Sequence, residues 1–438
     1  MAAFLVPLLP RCSPAAVGRG HVGHPAARQR PAAAAVAAAA GRRWTATAPL
    51  LPTPPPPPPS SPAAAATEPS KAAGLPPPLS SRDIPPWAGT TLLSRAVTAL
   101  IGIPPVHALM AVLAKAVLVR TAERCGIPWV ATRNTILDTF GARGGGGADA
   151  DAAAAAAAVA AAVLAAVTDP AVEYPDYYLR PFHAYANGNL CWKAAAEAEP
   201  ATLAVSVRTF PGERLIPAAA FDRIRADAYE AVVRALDGPG GVGVARVDLV
   251  VDVGCGVGLG TLALRSHLLD HRAAAAADAS PPSLPPHPDL RVVGVDLSPY
   301  MLAVATARAA APAVTYRHGR AEALPVQPGT AGLVALQFLI HELPAAAIAA
   351  SFAGAYDALA PGGVMAVLDN DPASPTLRRM PPTLFSLMKS TEPHSDEYYP
   401  LDVEAAARRA GFERVMTLAT DRRHRTVTAV KPGLGASV

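Results

Sequence analysis

The first 67 residues of this 438-residue chain contain no aspartate and no glutamate. The same stretch carries six arginines among alanine, proline and serine, a composition typical of an organellar transit peptide. We therefore expect residues 1–70 to be a transit peptide followed by a proline-rich linker, and a disordered tail of biased composition is the other interpretation. Hydroxyl and proline content favours a chloroplast over a mitochondrion.

The chain also has few aromatic residues, few cysteines and a small net charge. Aromatics make up 5% of the residues, so the hydrophobic core must be concentrated in part of the chain. Cys12, Cys125, Cys191 and Cys255 lie far apart with no CxxC pair, which argues against a zinc site or a disulfide framework and fits a reducing compartment. The formal charge of +4, without a basic tract in the core, predicts no nucleic-acid partner. We expect no metal.

Long, strongly hydrophobic runs are missing as well. The segment Ala152–Val167 is apolar but almost all alanine, and Ala99–Val119 is interrupted by two prolines and by polar residues. A membrane-spanning helix needs about 18 or more apolar residues. The sequence therefore predicts no transmembrane span, while peripheral membrane contact stays open.

The N-terminal half reads as a helical cap or lid region, residues 88–235. Apolar residues at helical spacing between Leu92 and Phe140, broken by Pro104-Pro105, predict two helices. The alanine-rich residues 143–167 are interpreted as a low-complexity insertion.

An aromatic-rich segment follows that insertion. Six aromatic side chains, together with His183, crowd into the nineteen residues Tyr174–Trp192. Packing alone explains such a cluster, and the alternative is a lid that supplies stacking and hydrogen bonds to a ligand.

The last 200 residues alternate apolar runs of strand length with helical segments. The runs are VDLVVDVG, LRVVGVDL, GLVALQFLI and VMAVLDN, and the chain closes with ERVMTLAT and HRTVTAVKP. Buried strands with intervening helices predict a mostly parallel sheet with helices on both faces, closed by a hairpin at its edge. We place this α/β domain at residues 240–434.

The turn after the first strand, in VDVGCGVGLGTL, has glycine at positions 254, 256, 258 and 260. Glycines there let a ligand approach main-chain N–H donors, because no Cβ is in the way. The spacing is neither the dinucleotide pattern GxGxxG nor a phosphate-binding loop ending in GK[ST]. The turn therefore indicates a nucleotide-like ligand that is bound by neither of these two patterns.

An aspartate marks the end of the second strand. Asp296 follows Gly258 by 38 residues, and a carboxylate there can accept hydrogen bonds from both hydroxyls of a ribose. The long spacing is explained if AAAAADASPPSLPPHPD, before the strand, is an inserted loop. Ser298 is a suitable N-cap and Pro299 a suitable first residue for the helix that follows.

These motifs carry a family resemblance. VVDVGCGVG, VVGVDLSPYML, HGRAEALPV, LQFLIHELP and LAPGGVMAVLD resemble, in order and separation, a class I S-adenosylmethionine-dependent methyltransferase. The resemblance covers Asp248 to Pro432. Within the family, the chain is similar to the methyltransferases labelled type 11, in a plant and green-algal branch. The resemblance implies a Rossmann-like, seven-stranded sheet in the order 3-2-1-4-5-7-6, with one antiparallel strand.

The resemblance also implies S-adenosyl-L-methionine as cofactor and assigns its contacts. Asp296 would hold the ribose and Leu297 the adenine. The family often has aspartate where this chain has Arg320, so adenine recognition falls to Ala321 and Glu322. The full set of expected cofactor contacts is Asp252, Gly254, Cys255, Gly256, Gly258, Asp296, Leu297, Ala321, Glu322 and Gln337, with Phe338 facing the same pocket and Cys255 a small filler in the turn.

Methyl transfer mainly requires alignment of a nucleophile and exclusion of water, and a hydroxyl acceptor also needs a general base. His341 and Glu342 are the candidate catalytic residues, because they follow the fourth strand at the edge where open α/β sheets bind ligands. The alternative is a helix N-terminal capping role or a role in the loop. The weaker candidates are Tyr178, His183, Asp369 and Asn370.

The sequence thus predicts an enzyme that methylates a small, partly hydrophobic organic acceptor in an organelle. Two alternatives stay open, a protein methyltransferase and a non-catalytic pseudo-methyltransferase that serves as a regulatory or assembly factor.

Overall fold

The computed structural model describes residues 84–89, 91–143, 150–278, 290–309 and 312–433. All of these residues belong to one compact unit. The predicted transit peptide and linker lie outside the described residues, and so does most of the predicted inserted loop, residues 279–289.

Seven strands form one sheet in the order β3-β2-β1-β4-β5-β7-β6. Every neighbouring pair is parallel except those that involve β7, which runs antiparallel to both β5 and β6. The predicted fold class and the closing hairpin are therefore confirmed. The strands are β1 Leu249–Val253, β2 Arg291–Asp296, β3 Val314–His318, β4 Ala331–Gln337, β5 Leu359–Asn370, β6 Glu413–Ala419 and β7 His424–Val430.

The helices begin N-terminal to the sheet and then alternate with its strands. They are α1 Leu92–Ile101, α2 Pro104–Arg124, α3 Trp129–Thr139, α4 Ala150–Val167, α5 Trp192–Thr209, α6 Pro217–Asp237, α7 Leu259–Asp278, α8 Pro299–Arg308, α9 Ala345–Ala358, α10 Pro375–Arg378, α11 Pro382–Lys389, α12 Ser395–Tyr398 and α13 Val403–Arg409. Ser298 caps α8 by accepting a hydrogen bond from the main-chain N–H of Met301 at 3.2 Å, as predicted.

One prediction about elements was wrong, and one strand was missed. The stretch Leu92–Phe140 contains three helices rather than the predicted two, because a third helix, α3, begins at Trp129, directly after Pro128. Strand β3 was not among the apolar runs, because only its first and last residues are buried and its middle residues are polar or half-exposed. A strand with so little apolar character gives no continuous hydrophobic signal.

Hydrophobic residues cover both faces of the sheet. On one face Phe352 of α9 packs with Tyr398 and Tyr399, and on the other Leu236 of α6 packs with Leu268 of α7. Burial on both faces explains why the central strands are continuous apolar runs. The carboxyl ends of the strands are left to form a site.

Two further features concern membranes and thiols. Among the described residues, α2 is the one helix long and apolar enough to cross a membrane, with a mean hydropathy of 1.4 and 17% of that window buried. Length and composition alone are weak evidence for a span. Among the described residues, Cys191 and Cys255 are free thiols.

Candidate functional site

A cavity of about 490 Å³ opens at the carboxyl edge of the sheet. Its floor is formed by the residues that follow β1, β2, β4 and β5. Its walls come from α5, α6, α11 and the lid segment, which we define as residues 168–191 between α4 and α5. This volume lies in the range of small-molecule sites.

The glycine turn after β1 lies at this floor. Gly254, Gly256 and Gly258 have φ angles of +70°, +52° and +80°, a region that favours glycine. A Cβ at Gly254 would collide with Leu339, and one at Gly258 would collide with the Tyr316 hydroxyl. A Cβ at Gly256 would meet nothing within 4 Å, so this glycine leaves open space beside the cavity that it lines.

Asp296 fastens this turn to the end of β2. Its two carboxylate oxygens each accept a main-chain hydrogen bond, from the N–H of Gly256 and from the N–H of Ser298, both at 2.8 Å. Burial raises the pKa of Asp296, although these two bonds oppose the rise. Each oxygen keeps a further lone pair, so the carboxylate, which lines the cavity, can still accept hydroxyl hydrogens.

Asp252 lies deeper, at the end of β1, with 1% of its surface exposed. It accepts hydrogen bonds from the Thr261 hydroxyl at 2.6 Å and from the Gln337 amide at 3.0 Å. The Tyr229 hydroxyl donates to the Gln337 carbonyl at 2.8 Å, which fixes the orientation of the amide. Burial raises the pKa of Asp252 to about 6. Thr261 and Tyr229 were missed by sequence reasoning, because each acts through a contact from another element.

Of the residues expected to contact the adenine, two line the cavity and one does not. Leu297 and Ala321 line the cavity. Glu322 is not among the lining residues, and its carboxylate accepts a hydrogen bond from the Tyr177 hydroxyl at 2.8 Å and lies 3.5 Å from the Arg320 guanidinium. Arg320 does not line the cavity either.

Cys255 lines the cavity within the glycine turn and is a buried free thiol. Burial raises its pKa well above the ordinary value, which disfavours the nucleophilic thiolate. This agrees with its expected role as a filler. In the described part of the chain, no group of three or more His, Cys, Asp or Glu side chains could hold a metal ion.

His341 is held by a carboxylate from the neighbouring strand. Its Nδ1 lies 2.7 Å from Oδ1 of Asp369, and its main-chain N–H donates to Oδ2 of the same residue at 3.2 Å. Burial alone would lower the pKa of His341, but the charge and hydrogen bond of Asp369 outweigh it and raise the pKa well above the ordinary value. Nε2 forms no hydrogen bond with any described residue, and His341 lines the cavity. The structure therefore pairs His341, a candidate catalytic residue, with Asp369, which was among the weaker candidates.

Glu342 contacts the lid segment. Its Oε1 lies 3.6 Å from Nε2 of His183. Burial raises the pKa of Glu342 to about 8 and lowers the pKa of His183, so both groups favour their neutral forms near neutral pH. Neither His341 nor Glu342 caps α9, because the N–H of Ala345 at its start donates to Glu397 instead. The capping alternative was therefore wrong.

The lid segment carries its aromatic side chains to the cavity. Tyr177, Tyr178 and Tyr185 all line it, together with His183. His183 and Ala184 have φ angles of +49° and +64°, and the N–H of His183 donates to the carbonyl of Thr391 at 3.0 Å. Non-glycine residues in this region are strained and concentrate at functional sites. The position of these residues supports the lid interpretation.

Phe338, which follows β4, also has a positive φ, +55°, and lines the cavity as expected. Its ring lies 5.3 Å from the guanidinium carbon of Arg225. Arg208, Arg225 and Arg423 all line the cavity and were missed by sequence reasoning. No local motif marks them, because two lie on helices and one in a turn, and only the fold brings them together.

The floor of the cavity suits a nucleoside bearing an amino-acid tail. Gly256 provides open space, Asp296 provides oxygen acceptors for hydroxyls, and Arg225 provides a cation beside Asp252. His341, held by Asp369, has its pKa raised to about 10, so its Nε2 can take a proton in the same cavity where the ring is neutral, a fraction that grows with pH. The arrangement therefore fits donor binding and proton transfer at one site.

Known proteins resemble parts of this chain. The model of a methyltransferase-domain family matches residues 283–363. No curated protein matches the chain. Among solved structures, phosphoethanolamine N-methyltransferase 2 of Haemonchus contortus, in complex with S-adenosyl-L-methionine, is 18% identical, with 47% of this chain and 52% of that chain covered and a TM-score of 0.31.

Two other solved structures are similar at the same level. Human N-acetylserotonin methyltransferase, in complex with SAM, is 16% identical, with 71% of this chain and 94% of that chain covered and a TM-score of 0.36. An O-methyltransferase family protein of Burkholderia thailandensis is 17% identical, with 56% and 64% covered and a TM-score of 0.36. The chain spans about half the length of the nematode enzyme. Because these scores are below 0.5, we infer nothing about the substrate from them.

Proposed function

We propose that this chain, a class I methyltransferase by its sheet order and its matched domain, transfers a methyl group from S-adenosylmethionine to a small, partly hydrophobic acceptor. One observation carries the proposal. The glycine turn, the ribose-type carboxylate of Asp296 and the His341–Asp369 pair all face a single cavity.

The donor half of the cavity is built from strand ends. Gly254 and Gly256 would face the methionine part of the cofactor, and Asp296 would accept hydrogen bonds from its ribose hydroxyls. Arg225 has a buried Nε without a hydrogen-bond partner and lies near Asp252, so it is suited to pair with the carboxylate of the methionine part. When bound, the cofactor supplies an electrophilic methyl group on a sulfonium.

The acceptor half is largely apolar. Val205 of α5 and Leu384 and Met388 of α11 line it, which supports an acceptor with a hydrophobic body. Asp369 fixes the His341 ring through Nδ1 and, against the opposing effect of burial, raises its pKa to about 10. Nε2 therefore takes the proton of a hydroxyl or other protic acceptor in the fraction of molecules whose ring is neutral, and this fraction grows as the pH rises. In this reaction Asp369 is a positioning residue, because it acts through His341.

The two alternative functions, a non-catalytic protein and a protein methyltransferase, have less structural support. The non-catalytic interpretation rested on Arg320, which lies outside the cavity lining and is paired with Glu322. A protein acceptor would have to reach between α5, α11 and the lid segment, which suits a small molecule better. We also propose that residues 1–70 direct the chain to a chloroplast, on their composition alone.

Donor binding can be tested with S-adenosylhomocysteine and the full chain by isothermal titration calorimetry. Gly256→Trp fills the open space beside the turn and should abolish binding. Gly329→Trp is the matched control, because Gly329 also has a positive φ, +72°, with nothing within 4 Å of its Cβ, and does not line the cavity. No binding by the unaltered chain, or equal binding by both variants, would refute the proposal.

Acceptor class can be tested by incubating the chain with methyl-labelled cofactor and separate organic, protein and RNA fractions of chloroplasts. Label in the organic fraction, lost with His341→Gln, supports a small acceptor. Label in the protein fraction alone would instead support the protein methyltransferase.

A further inference from the structure

Two arginines in the acceptor half of the cavity have no counter-ion. Arg208 lies in the last turn of α5, and Arg423 lies directly before β7. Within the described residues, neither side chain forms an ion pair or a hydrogen bond, and Nε of Arg423 is fully buried. Both residues are half-buried, and a charge partly removed from water without a partner is stabilised by a compensating anion.

The two charges are close to each other. Burial, and then the neighbouring charge of Arg423, lower the pKa of Arg208 to about 10. The last turn of α5 favours a cation near its carbonyl ends, but those partial charges do not replace a counter-ion. The Arg208 guanidinium therefore remains cationic at neutral pH, and both side chains line the same cavity.

Glu392 is an acidic residue that also lines the cavity, and its Oε2 is buried with no hydrogen-bond partner among the described residues. Burial raises the pKa of Glu392, although the charges of His341 and Arg423 oppose the rise. Glu392 therefore interacts with His341 and Arg423, whereas the pKa of Arg208 is shifted by burial and by Arg423 alone. Arg208 is thus left without an acidic partner in the described part of the chain.

Arg423 also lies on the same sheet edge as the proposed base. Its carbonyl accepts a hydrogen bond from the N–H of Asp371 at 2.9 Å, and the next residue, His424, pairs with Asn370 of β5. Asp369, which holds His341, is one residue further along β5. Arg423 therefore reaches the same sheet edge as the proposed base.

We propose that the methyl acceptor carries an anionic group, a carboxylate or a phosphate, which Arg208 and Arg423 bind while the apolar body lies against α5 and α11. This inference rests on the proposed function, because it names the acceptor of that reaction. Guanidinium groups bind both anions through paired hydrogen bonds.

The test uses the full chain with three probes of similar shape, namely benzoate, phenyl phosphate and neutral benzyl alcohol. Binding is measured by isothermal titration calorimetry with and without saturating S-adenosylhomocysteine. At least one anion should bind about tenfold or more tighter than benzyl alcohol, a difference of about 1.4 kcal/mol. The tighter of the two anions identifies the group.

Variants then assign the preference to these side chains. Arg208→Gln and Arg423→Gln should each remove most of the preference for the anion while S-adenosylhomocysteine affinity stays unchanged, which also reports that the fold is intact. Arg234→Gln, at an exposed position on α6, is the matched control and should behave as the unaltered chain.

Equal binding of the three probes, no detectable binding of either anion at millimolar concentration, or a preference that survives both substitutions would overturn the inference. Failure of the unaltered chain to bind S-adenosylhomocysteine would instead count against the proposed function.

Discussion

Replacing Asp296 by alanine tests the donor site most directly. The carboxylate accepts main-chain hydrogen bonds from Gly256 and Ser298, both at 2.8 Å, and it lines the cavity. Asp296→Ala removes the acceptor for the ribose hydroxyls and also releases the glycine turn from the end of β2. We therefore expect weaker cofactor binding together with a less stable fold.

The magnitude follows from the number of bonds. A hydrogen bond to a charged group contributes about 1.5–3 kcal/mol, so loss of two ribose bonds costs at least about 3 kcal/mol, or roughly a hundredfold in affinity. Asp296→Asn keeps one oxygen acceptor but turns an NH₂ group toward a main-chain donor, so we expect a loss of about tenfold.

The assay is calorimetric titration of the full chain with S-adenosylhomocysteine, with thermal unfolding measured in parallel. Asp402→Ala is the control for lost stability, because Asp402 caps α13 by accepting from the N–H of Ala405 at 2.8 Å and does not line the cavity. It should lower stability and leave affinity unchanged. An Asp296→Ala affinity within about twofold of the unaltered chain would refute the assignment, since two charge-assisted bonds cannot be lost at so small a cost.

His341→Gln and Asp369→Asn should each lower methyl transfer to the labelled organic acceptor by roughly 10²–10⁴-fold without changing S-adenosylhomocysteine affinity, and normal turnover would exclude His341 as the base. Because burial raises the pKa of Glu342 from its ordinary 4.5 to about 8, the stability linked to its neutral form is complete below pH 4.5 and is lost as the pH rises through 8. Thermal unfolding between pH 5 and pH 8.5 should therefore fall less steeply for Glu342→Gln than for the unaltered chain, and parallel curves would contradict this. Gly258→Ala should lower the free energy of unfolding by about 1–3 kcal/mol through its φ of +80° and its contact with Tyr316. Tyr316→Phe should recover part of that loss in chemical denaturation, and Gly329→Ala, which has a similar φ and open space, should show the smaller effect of backbone strain alone.

The donor half of the site could be predicted from sequence because it is made of strand ends. In a parallel sheet the carboxyl ends of all strands meet at one edge, so a glycine turn after β1 and an acid at the end of β2 are brought together by topology alone. Asp296 and Gly256 are indeed joined by a hydrogen bond. The same reasoning placed His341 in the cavity.

To predict Asp369 as the partner of His341, one needs the register between β4 and β5. Gln337 pairs with Leu368 across β4 and β5, so the residues just beyond this pair, including Asp369, lie beside the turn that carries His341. A sequence without pairing information leaves Asp369 as one of several polar residues near the end of β5. The proximity of Arg208 and Arg423 is harder still to predict, because the two residues lie 215 residues apart and no periodic pattern links them.

The order of the strands also arranges the chemistry along the sheet edge. Asp296 is the last residue of β2, the glycine turn follows β1, His341 follows β4, and Asp369 is the penultimate residue of the neighbouring β5. Arg423 precedes β7, which is antiparallel, so it reaches the same edge. Neighbouring strands are about 4.8 Å apart, so two steps, or roughly 10 Å, separate the main chain of β4 from that of β7. The base and Arg423 therefore reach the cavity from different strands, so one acceptor can contact both with different parts of its structure.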